Sequence, residues 1–473
     1  KYIENQYINK DNFKNKDILV AAIEDAYKRL IFPAIEREVR NHLTELAQER
    51  AINVFGENIK NLLLQPPLKG KVVMGFDPGY VNGCKIAVVD ASGKFLDEAI
   101  VYPHKPQSKT EQAKKILKKL IETYKIDVIA IGNGTASRES ETLISELIKE
   151  LGVNTQYIIV NEAGASIYSA SELAAEEHPD INVSIRGAIS IGRRLQDPLA
   201  ELVKIDPESI GVGQYQHDLN KKRLKEVLDG VVEDSVNKVG LDLNTASHSL
   251  LEHIAGVSKT VAKNIIAYRE ENGPFKSRNE LKKVKRLGPS AFVQCAGFMR
   301  IENGKNPLDS TGVHPESYDI CKKMLEILGY SLDDVKNKNI SDIDERIENI
   351  GLKNLSEKLN VGEVTLKDII LEIKKPGRDP REEDGMKPIL RTDVLKIEDI
   401  KEGMTLKGTV RNVVDFGVFV DIGIKNDGLV HKSQISNKFV KDPMEICSVG
   451  DIIDVKVIGI DLEKQRVSLS MKI

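Results

Sequence analysis

The stretch KGTVRNVVDFGVFVD, residues 407–421, decides the fold of the last part of the chain. It contains two runs of strand-forming residues that are joined through Gly417. Three further β-rich runs follow, separated by turn residues, at 428–431, 450–457 and 466–470. Five strands of this kind close into a small barrel, so the sequence predicts an all-β domain of the OB type over residues 398–473.

Two phenylalanines lie close together in this stretch, Phe416 and Phe419, and the basic residues His431 and Arg466 lie on other predicted strands. Aromatic faces stack on bases while basic groups lie near phosphates, which is how such barrels bind single strands. The alternative is that both phenylalanines belong to the barrel core, as apolar residues commonly do. The residue types alone leave both interpretations open.

Taken nearly end to end, residues 399–473 resemble the RNA-binding domain of the ribosomal protein S1 type. The resemblance implies an RNA-binding surface and favours the stacking interpretation over the core interpretation. The predicted nucleic-acid-binding residues are Lys407, Phe416, Phe419, His431, Asp461 and Arg466.

Residues 241–303 contain two similar helical units, each a helix, a tight glycine turn and a second helix. Over 241–300 ten Lys and Arg residues stand against five Asp and Glu residues, so this part is locally basic. A glycine turn before a helix presents backbone N–H groups, which bind phosphate without reading sequence. The alternative is a compact helical domain that only packs. The predicted phosphate-binding residues are Gly256, Val257, Ser258, Lys259 and Gly288.

These units resemble the tandem helix-hairpin-helix domain of DNA-repair and DNA-uptake proteins. The turn of that family carries two glycines, and each copy in this chain keeps one, because Ser258 replaces the second glycine and Arg286 the first. The resemblance implies binding to the phosphate backbone, and the two replacements make each turn a weaker candidate for it.

Between residues 70 and 200, three short apolar runs are followed by alternating helical and strand-like segments. This order predicts a mixed α/β sheet covered by helices. Asp77 ends the first strand, Glu162 follows the strand that ends at Val160, and Asp197 comes near the end of the last helix. We expect these three carboxylates to share a cleft, and converging carboxylates can hold two divalent ions for phosphodiester cleavage.

The order of elements and the DPG sequence at 77–79 resemble the RNase H-like fold, in the branch of Holliday-junction resolvases and YqgF. In that branch another acid normally follows the fourth strand, where this chain has the neutral Asn133. With one charge missing, we expect a retained but catalytically silent fold that holds no metal and needs no cofactor. The alternative is a nuclease in which the three acids bind Mg²⁺ or Mn²⁺.

The composition limits the remaining classes of function. The chain has 473 residues, 41% of them hydrophobic, which fits several domains with ample core. The net charge is −3, so any attraction to nucleic acid is local. The four cysteines are scattered without a CxxC pair, which favours a reducing, cytoplasmic compartment. No apolar run in the sequence is long enough to span a bilayer.

The segments LLLQPPLKGKVVMGFDPG (62–79), NPLDSTGVHPESY (306–318) and KKPGRDPREEDGMKP (374–388) make the chain as a whole resemble the bacterial Tex family of transcription accessory proteins. The resemblance implies a non-enzymatic scaffold that binds single-stranded RNA and DNA without sequence specificity and contacts the transcription machinery. We expect a monomer without membrane contact. Because the chain opens with Lys1 in helix-like sequence, we also expect that the natural protein has an additional N-terminal part.

The resemblance also orders the predicted domains along the chain. They are a helical segment over 1–69, the RNase H-like YqgF domain over 70–200, connecting helices over 201–240, the tandem helix-hairpin-helix over 241–303, a helical segment with a charged linker over 304–390, and the S1 domain over 398–473.

Overall fold

A computed structural model gives the fold. It describes residues 15–473 apart from 212, 214–215, 303, 375–378, 383–387, 389, 393–399, 415, 425, 439, 441–442, 448–449, 462–465 and 473. Within this described part, no helix is both long and apolar enough to cross a membrane. Its buried apolar side chains form five clusters: two on the faces of an α/β sheet, one in a helical body, one in a smaller helical module and one in a barrel.

The first helix, α1 (Lys16–Ala26), continues through a π-helical turn at Tyr27–Ile31 into α2 (Phe32–Leu63). Pro33 lies in the first turn of α2, where its missing N–H is tolerated. Burial of apolar side chains in α2 begins only at Ile52. The end of α2 therefore belongs to the core of the helical body.

The α/β sheet has the strand order β3-β2-β1-β4-β5. Its strands are β1 (Val73–Asp77), β2 (Cys84–Val89), β3 (Phe95–Val101), β4 (Val128–Gly132) and β5 (Gln156–Val160). The first three strands are antiparallel, and β4 and β5 continue the sheet in parallel from β1. The predicted mixed sheet is confirmed.

Helices cover both faces of this sheet. One face carries α3 (Thr110–Tyr124) and α4 (Ser137–Leu151), and the other carries α7 (Val183–Gln196). The short helices α5 (Ala165–Ser169) and α6 (Glu172–Glu177) lie between β5 and α7 in the chain. Gly75 lets α7 approach β1 closely, because a Cβ there would lie 1.9 Å from the carbonyl oxygen of Ala188.

The helical body packs on the end of α2. Short 3₁₀ turns occur in it at Pro207–Ser209, Gln216–Asp218 and Arg278–Lys283. Its regular elements are α8 (Pro198–Leu202), α9 (Lys221–Val239), β6 (Leu241–Asp242), α10 (His248–Leu251), α11 (Lys259–Asn272), α12 (Pro289–Cys295) and β7 (Met299–Arg300), with β6 and β7 paired in parallel.

A smaller helical module follows, built from α13 (Tyr318–Leu328), α14 (Leu332–Lys336), α15 (Ile343–Ile350), α16 (Leu352–Leu359) and α17 (Glu363–Lys374). Arg278, 1% exposed, joins the helical body to this module. Its guanidinium donates to the carbonyl of Met299 at 2.6 Å and to the carbonyl of Val313 and the hydroxyl of Tyr318, both at 2.8 Å. Separating so deeply buried a charge from its partners is costly, so Arg278 holds the two parts together.

The last part of the chain is a closed barrel in the order β10-β12-β11-β8-β9. Its strands are β8 (Thr405–Val414), β9 (Gly417–Asp421), β10 (Gly428–His431), β11 (Ile452–Asp461) and β12 (Arg466–Ser470). The predicted five-stranded barrel is confirmed, and a bulge in β8 between Val410 and Asn412 shifts the register against β9.

Candidate nucleic-acid interface

The outer surface of the barrel carries the two phenylalanines. Val418 and Val420 on β9 are fully buried, and because side chains alternate along a strand, Phe419 between them points outward. Phe416 precedes the strand and is 50% exposed. The two rings lie edge to face with their centroids 6.1 Å apart. The core interpretation is therefore wrong for Phe416, and the ring pair offers a platform for stacking.

Neighbouring strands extend this platform. Phe419 lies opposite Leu429 on β10, and Leu429 lies opposite Ser468 on β12. Arg466, exposed, is two residues before Ser468 and thus on the same side of β12, while His431 is two residues after Leu429 on the same side of β10. We call this surface the aromatic face and define it as Phe416, Phe419, Leu429, His431 and Arg466.

His431 is held in one orientation at the edge of the aromatic face. Its Nδ1 accepts from the N–H of Ser433 at 3.3 Å and lies 2.9 Å from the Ser433 hydroxyl. With Nδ1 as an acceptor, the neutral ring carries its proton on Nε2, which is a suitable donor to a base or phosphate. Gly417 permits the close strand pairing here, since a Cβ would lie 2.3 Å from the carbonyl of Val430.

The other two predicted barrel residues take different places. Asp461 is exposed and lies directly opposite Arg466 at the end of the β11–β12 pair, beside the aromatic face. Lys407 is exposed on β8, five residues before Asn412, which is the residue opposite Phe419. At about 3.3 Å per residue, this separation is about 16 Å. Lys407 therefore lies outside the aromatic face.

The two helix-hairpin-helix turns have the same backbone shape although their residues differ. Gly256 and its counterpart Arg286 both have left-handed backbones, with φ of 79° and 65°. Ser258 and its counterpart Gly288 both have extended backbones and precede the next helix. Replacement of one glycine in each copy has therefore not changed the turn.

The first turn is the better phosphate site of the two. Ser258 caps α11 by accepting from the N–H of Val261 at 3.4 Å, and helix geometry leaves the preceding N–H groups, including that of Lys259, directed out of the helix start. The second turn leads into Pro289, which has no N–H. Val257 is 6% exposed, so it anchors the turn in the core rather than contacting a ligand.

Exposed basic side chains surround both turns. Asn264 Nδ2 donates to the carbonyl of Lys285 at 2.7 Å, which holds the second helix of one unit beside the turn of the other. We call the resulting basic area the hairpin surface and define it as Lys259, Lys263, Lys282, Lys283, Lys285 and Arg286, all exposed.

Two of the three predicted acids meet at the sheet edge. Asp77 and Glu162 line a cavity of 330 Å³ together with Lys85, which lies opposite Asp77 on β2. Burial raises the pKa of Asp77 to about 6, although Lys85 opposes the rise. Burial also raises the pKa of Glu162, against the N–H of Gly134. Burial therefore disfavours the charged form of both carboxylates.

Asn133 has a structural role beside this cavity. Its side-chain oxygen accepts from the N–H of Glu162 at 3.0 Å. The glycines on either side leave room for the carboxylate, since a Cβ at Gly134 would lie 1.6 Å from Glu162 Oε1 and a Cβ at Gly132 2.2 Å from Oε2. The Gly-Asn-Gly turn thus fixes the Glu162 loop.

Asp197 lies elsewhere. It caps α8 by accepting from the N–H of Ala200 at 3.2 Å and pairs with Arg381 at 2.7 Å. Asp77 lies beside Gly187 of α7, and Asp197 follows ten residues later in the chain. Ten residues of helix rise about 15 Å. The expectation that all three acids share a cleft is therefore wrong.

These residues do not fit the two-metal centre that the RNase H-like resemblance implies. Two carboxylates converge, an ammonium group lies opposite one of them, and the fourth expected acid is the neutral Asn133. Among the residues that the structure describes, no group of three or more His, Cys, Asp and Glu side chains is placed to hold a metal ion. Two carboxylates with an ammonium group beside them do not balance the charge of two divalent ions.

Two residues of this region, Lys85 and Arg194, were not predicted from the sequence. Lys85 lies opposite Asp77 because of the register between β1 and β2. The turn DPGYVNG between the two strands is the part of the sequence from which this register could have been predicted. Arg194, 4% exposed, donates to the carbonyls of Asn161 and Ala163 at 2.9 and 2.7 Å. These hydrogen bonds hold the backbone on either side of Glu162. An arginine within an amphipathic helix gives no sequence signal for such a role.

Family models match four parts of the chain. The Tex protein YqgF-like domain matches residues 71–196, a helix-hairpin-helix motif 236–300, an HHH domain 306–381 and the S1 RNA binding domain 399–472. The third match covers the smaller helical module, for which the sequence predicted only a helical segment.

Curated relatives match nearly the whole chain. The protein YdcI of Bacillus subtilis (strain 168) is 54% identical over 99% of this chain and 65% of that protein. The transcriptional accessory protein Tex of Neisseria gonorrhoeae is 49% identical over 94% of this chain and 58% of that protein. The human S1 RNA-binding domain-containing protein 1 is 38% identical over 96% of this chain and 51% of that protein. The chain thus spans between about half and two thirds of the length of these relatives.

The domain matches and the relatives agree with the structure. The S1 match falls on the closed barrel that carries the aromatic face, and the YqgF-like match falls on the mixed sheet. The S1 domain supports nucleic-acid binding. With these domain matches and relatives that align over nearly its whole length, the chain belongs to the Tex family of transcriptional accessory proteins.

Proposed function

We propose that this chain binds single-stranded RNA or DNA without reading its sequence and acts around transcription as a scaffold rather than as an enzyme. The aromatic face carries the proposal, because Phe416 is half exposed beside Phe419 on an S1 barrel. Stacking of a base on an aromatic side chain contributes about 1–3 kcal/mol and tolerates any base, since every base has a π-face.

The hairpin surface supplies a second contact of a different kind. We propose that its lysines and the N–H groups at the start of α11 contact phosphate oxygens rather than base edges, since the lysines are exposed and the N–H groups lie at a helix start. Such contacts position the strand and depend on salt, because each neutralised phosphate releases counterions. Together the two surfaces favour a bound strand of any sequence.

The residues at the sheet edge favour the scaffold role over the nuclease role. Asp77 and Glu162 share the cavity with Lys85, and Asp197 is paired with Arg381. We propose that the chain needs no cofactor and that neither Mg²⁺ nor Mn²⁺ takes part in its action. Asn133→Asp would keep an acceptor for the Glu162 N–H, because a carboxylate oxygen also accepts, and would place a further negative charge beside Glu162.

The broader setting of the proposal comes from the relatives and the composition. The N. gonorrhoeae relative is a transcriptional accessory protein, so we propose the transcription machinery as the protein partner. We further propose that the chain acts as a monomer in the cytoplasm, in line with four cysteines that are all free thiols and buried.

Binding is expected to fall steeply with salt. A plot of log affinity against log salt concentration for a single-stranded RNA should have a clear negative slope, and Lys259→Ala should reduce the slope by about 1, because one phosphate contact is lost. Equilibrium titrations at several salt concentrations give both slopes.

The matched control is Lys353→Ala, which removes an exposed lysine on α16 of the smaller module and should leave the slope unchanged. A flat plot, or strong preference for one base sequence among strands of equal length, contradicts the proposed mode of binding.

A further inference from the structure

Arg391 is attached to the free edge of the α/β sheet. It forms an isolated antiparallel bridge with Tyr157 on β5, the last strand of the sheet. The N–H of Tyr157 donates to the Arg391 carbonyl at 2.7 Å, and the N–H of Arg391 donates back at 2.8 Å. Leu390, the preceding residue, packs against the apolar cluster between the sheet and α7. Edge strands offer unpaired backbone groups, and here the chain uses them to hold its own segment.

The guanidinium of Arg391 reaches into the barrel. Both terminal nitrogens lie 3.3 Å from Asp421 Oδ1, and Nη1 lies 3.9 Å from Glu141 Oε1 of α4. Asp421 is 2% exposed and also accepts from Arg411 at 2.7 Å, within the barrel. Gly423 leaves room for the guanidinium, since a Cβ there would lie 3.3 Å from its central carbon. One arginine thus connects carboxylates of two domains.

The segment that precedes Arg391 is attached at a second place. Arg381 pairs with Asp197 at 2.7 Å at the start of α8, and Asp379 pairs with Lys69 at 3.0 Å. The predicted charged linker is therefore held by contacts of Asp379, Arg381 and Arg391.

The attachment lies at the end of β9 remote from Phe416. Asp421 ends β9, five residues after Phe416 and two after Phe419. At about 3.3 Å per residue, Asp421 is about 16 Å from Phe416 and about 7 Å from Phe419 along the strand. Burial opposes ionisation of Asp421, but Arg391 and Arg411 hold its pKa at about 2, so the pair stays charged near neutral pH.

We infer that Arg391 is a positioning residue that fixes the S1 barrel on the α/β domain, so that the aromatic face and the hairpin surface bind the same strand. The inference rests on the proposed strand binding and adds the residue that couples the two surfaces. A buried ion pair is costly to break on one side, which favours a single arrangement of the two domains. Two binding surfaces held in a fixed geometry give a long strand a high effective concentration at the second surface.

The test compares Arg391→Ala with Arg411→Ala in the full chain. Both variants remove one arginine from Asp421, but only the first removes a contact between domains. Three readouts are needed. The first two are titrations with a strand of about 6 nucleotides, which fits one OB-fold site, and with a strand of about 30 nucleotides. The third readout is the distribution of distances between probes on Lys119→Cys and Lys456→Cys, both exposed positions, since the four native cysteines are buried.

We expect Arg391→Ala to broaden the distance distribution, to weaken binding of the long strand about tenfold, and to leave binding of the short strand unchanged. Arg411→Ala should behave as the parent chain in all three readouts. Unchanged short-strand binding also shows that the barrel is folded in each variant. A narrow distance distribution in Arg391→Ala overturns the inference, as does unchanged affinity for the long strand. If the parent chain binds no short strand, the proposed function fails, while the distance measurement still decides whether Arg391 fixes the barrel.

Discussion

Replacement of both Phe416 and Phe419 by alanine is expected to weaken binding of a single-stranded RNA by about 2–6 kcal/mol, at about 1–3 kcal/mol for each stacked base. This corresponds to a loss of about 30-fold to 10⁴-fold in affinity. The reason is geometric: the rings lie side by side on the outside of the barrel, and Phe416 is half exposed. A fluorescence titration of the double variant measures the effect directly.

A matched control for this prediction is Phe32→Ala. Phe32 is 52% exposed, much as Phe416 is, but it lies at the start of α2. The control should bind RNA as the parent chain does. Circular dichroism should show that the double variant remains folded, because both side chains lie outside the barrel core. An unchanged dissociation constant in a folded double variant would remove the stacking role.

The second large effect concerns stability. Asp77→Asn should stabilise the α/β domain by about 3 kcal/mol at pH 8, because a pKa raised by about two units corresponds to about 2.7 kcal/mol. Burial raises the pKa of Asp77 from 3.8 to about 6, so the folded protein holds this proton more tightly than the unfolded chain. The stability of the parent chain therefore falls as the pH rises from about 4 to about 6. In the amide variant this part of the pH dependence is absent.

Hydrogen exchange of the β1 and β4 amides at several pH values, in the presence of a chelator, measures this difference. Glu98→Gln is the matched control, because Glu98 is exposed on β3 of the same sheet. It should leave protection unchanged at every pH. Equal protection of the parent chain and Asp77→Asn at pH 8 and at pH 4 would show that Asp77 is ionised without cost in the folded protein.

Strand alternation explains how far the sequence could predict the barrel. In GVFVD the two valines alternate with Phe419, so one set of side chains enters the core and the other faces outward. The resemblance to the S1 domain then named the base-contacting positions. The separation of Lys407 from the aromatic face could not be predicted from the sequence, because it depends on the strand register and on the bulge after Val410.

The acids show a different limit. Strand order brought Asp77 and Glu162 to one edge of the sheet, as predicted. The prediction that Asp197 lies beside them was wrong, because the sequence does not show which end of a helix lies at the sheet edge. The structure places Gly187 of α7 beside Asp77, and Asp197 follows the other end of this helix. The contact of Arg391 with β5 could not be predicted, because a single residue that forms an isolated bridge has no periodic pattern around it. In the sequence it resembles any other residue of a charged linker.

The proposed function requires that the chain holds a single strand without cutting it. The direct measurement is a titration of the intact chain with an end-labelled RNA of mixed sequence, longer than one OB-fold site of about 16 nucleotides, in the presence of Mg²⁺. The same samples are then separated on a denaturing gel. We predict saturable binding, an equal dissociation constant for a scrambled strand, and RNA of full length after incubation. Absence of saturable binding, or shortened RNA with the parent chain but not with Asp77→Asn, would contradict the account.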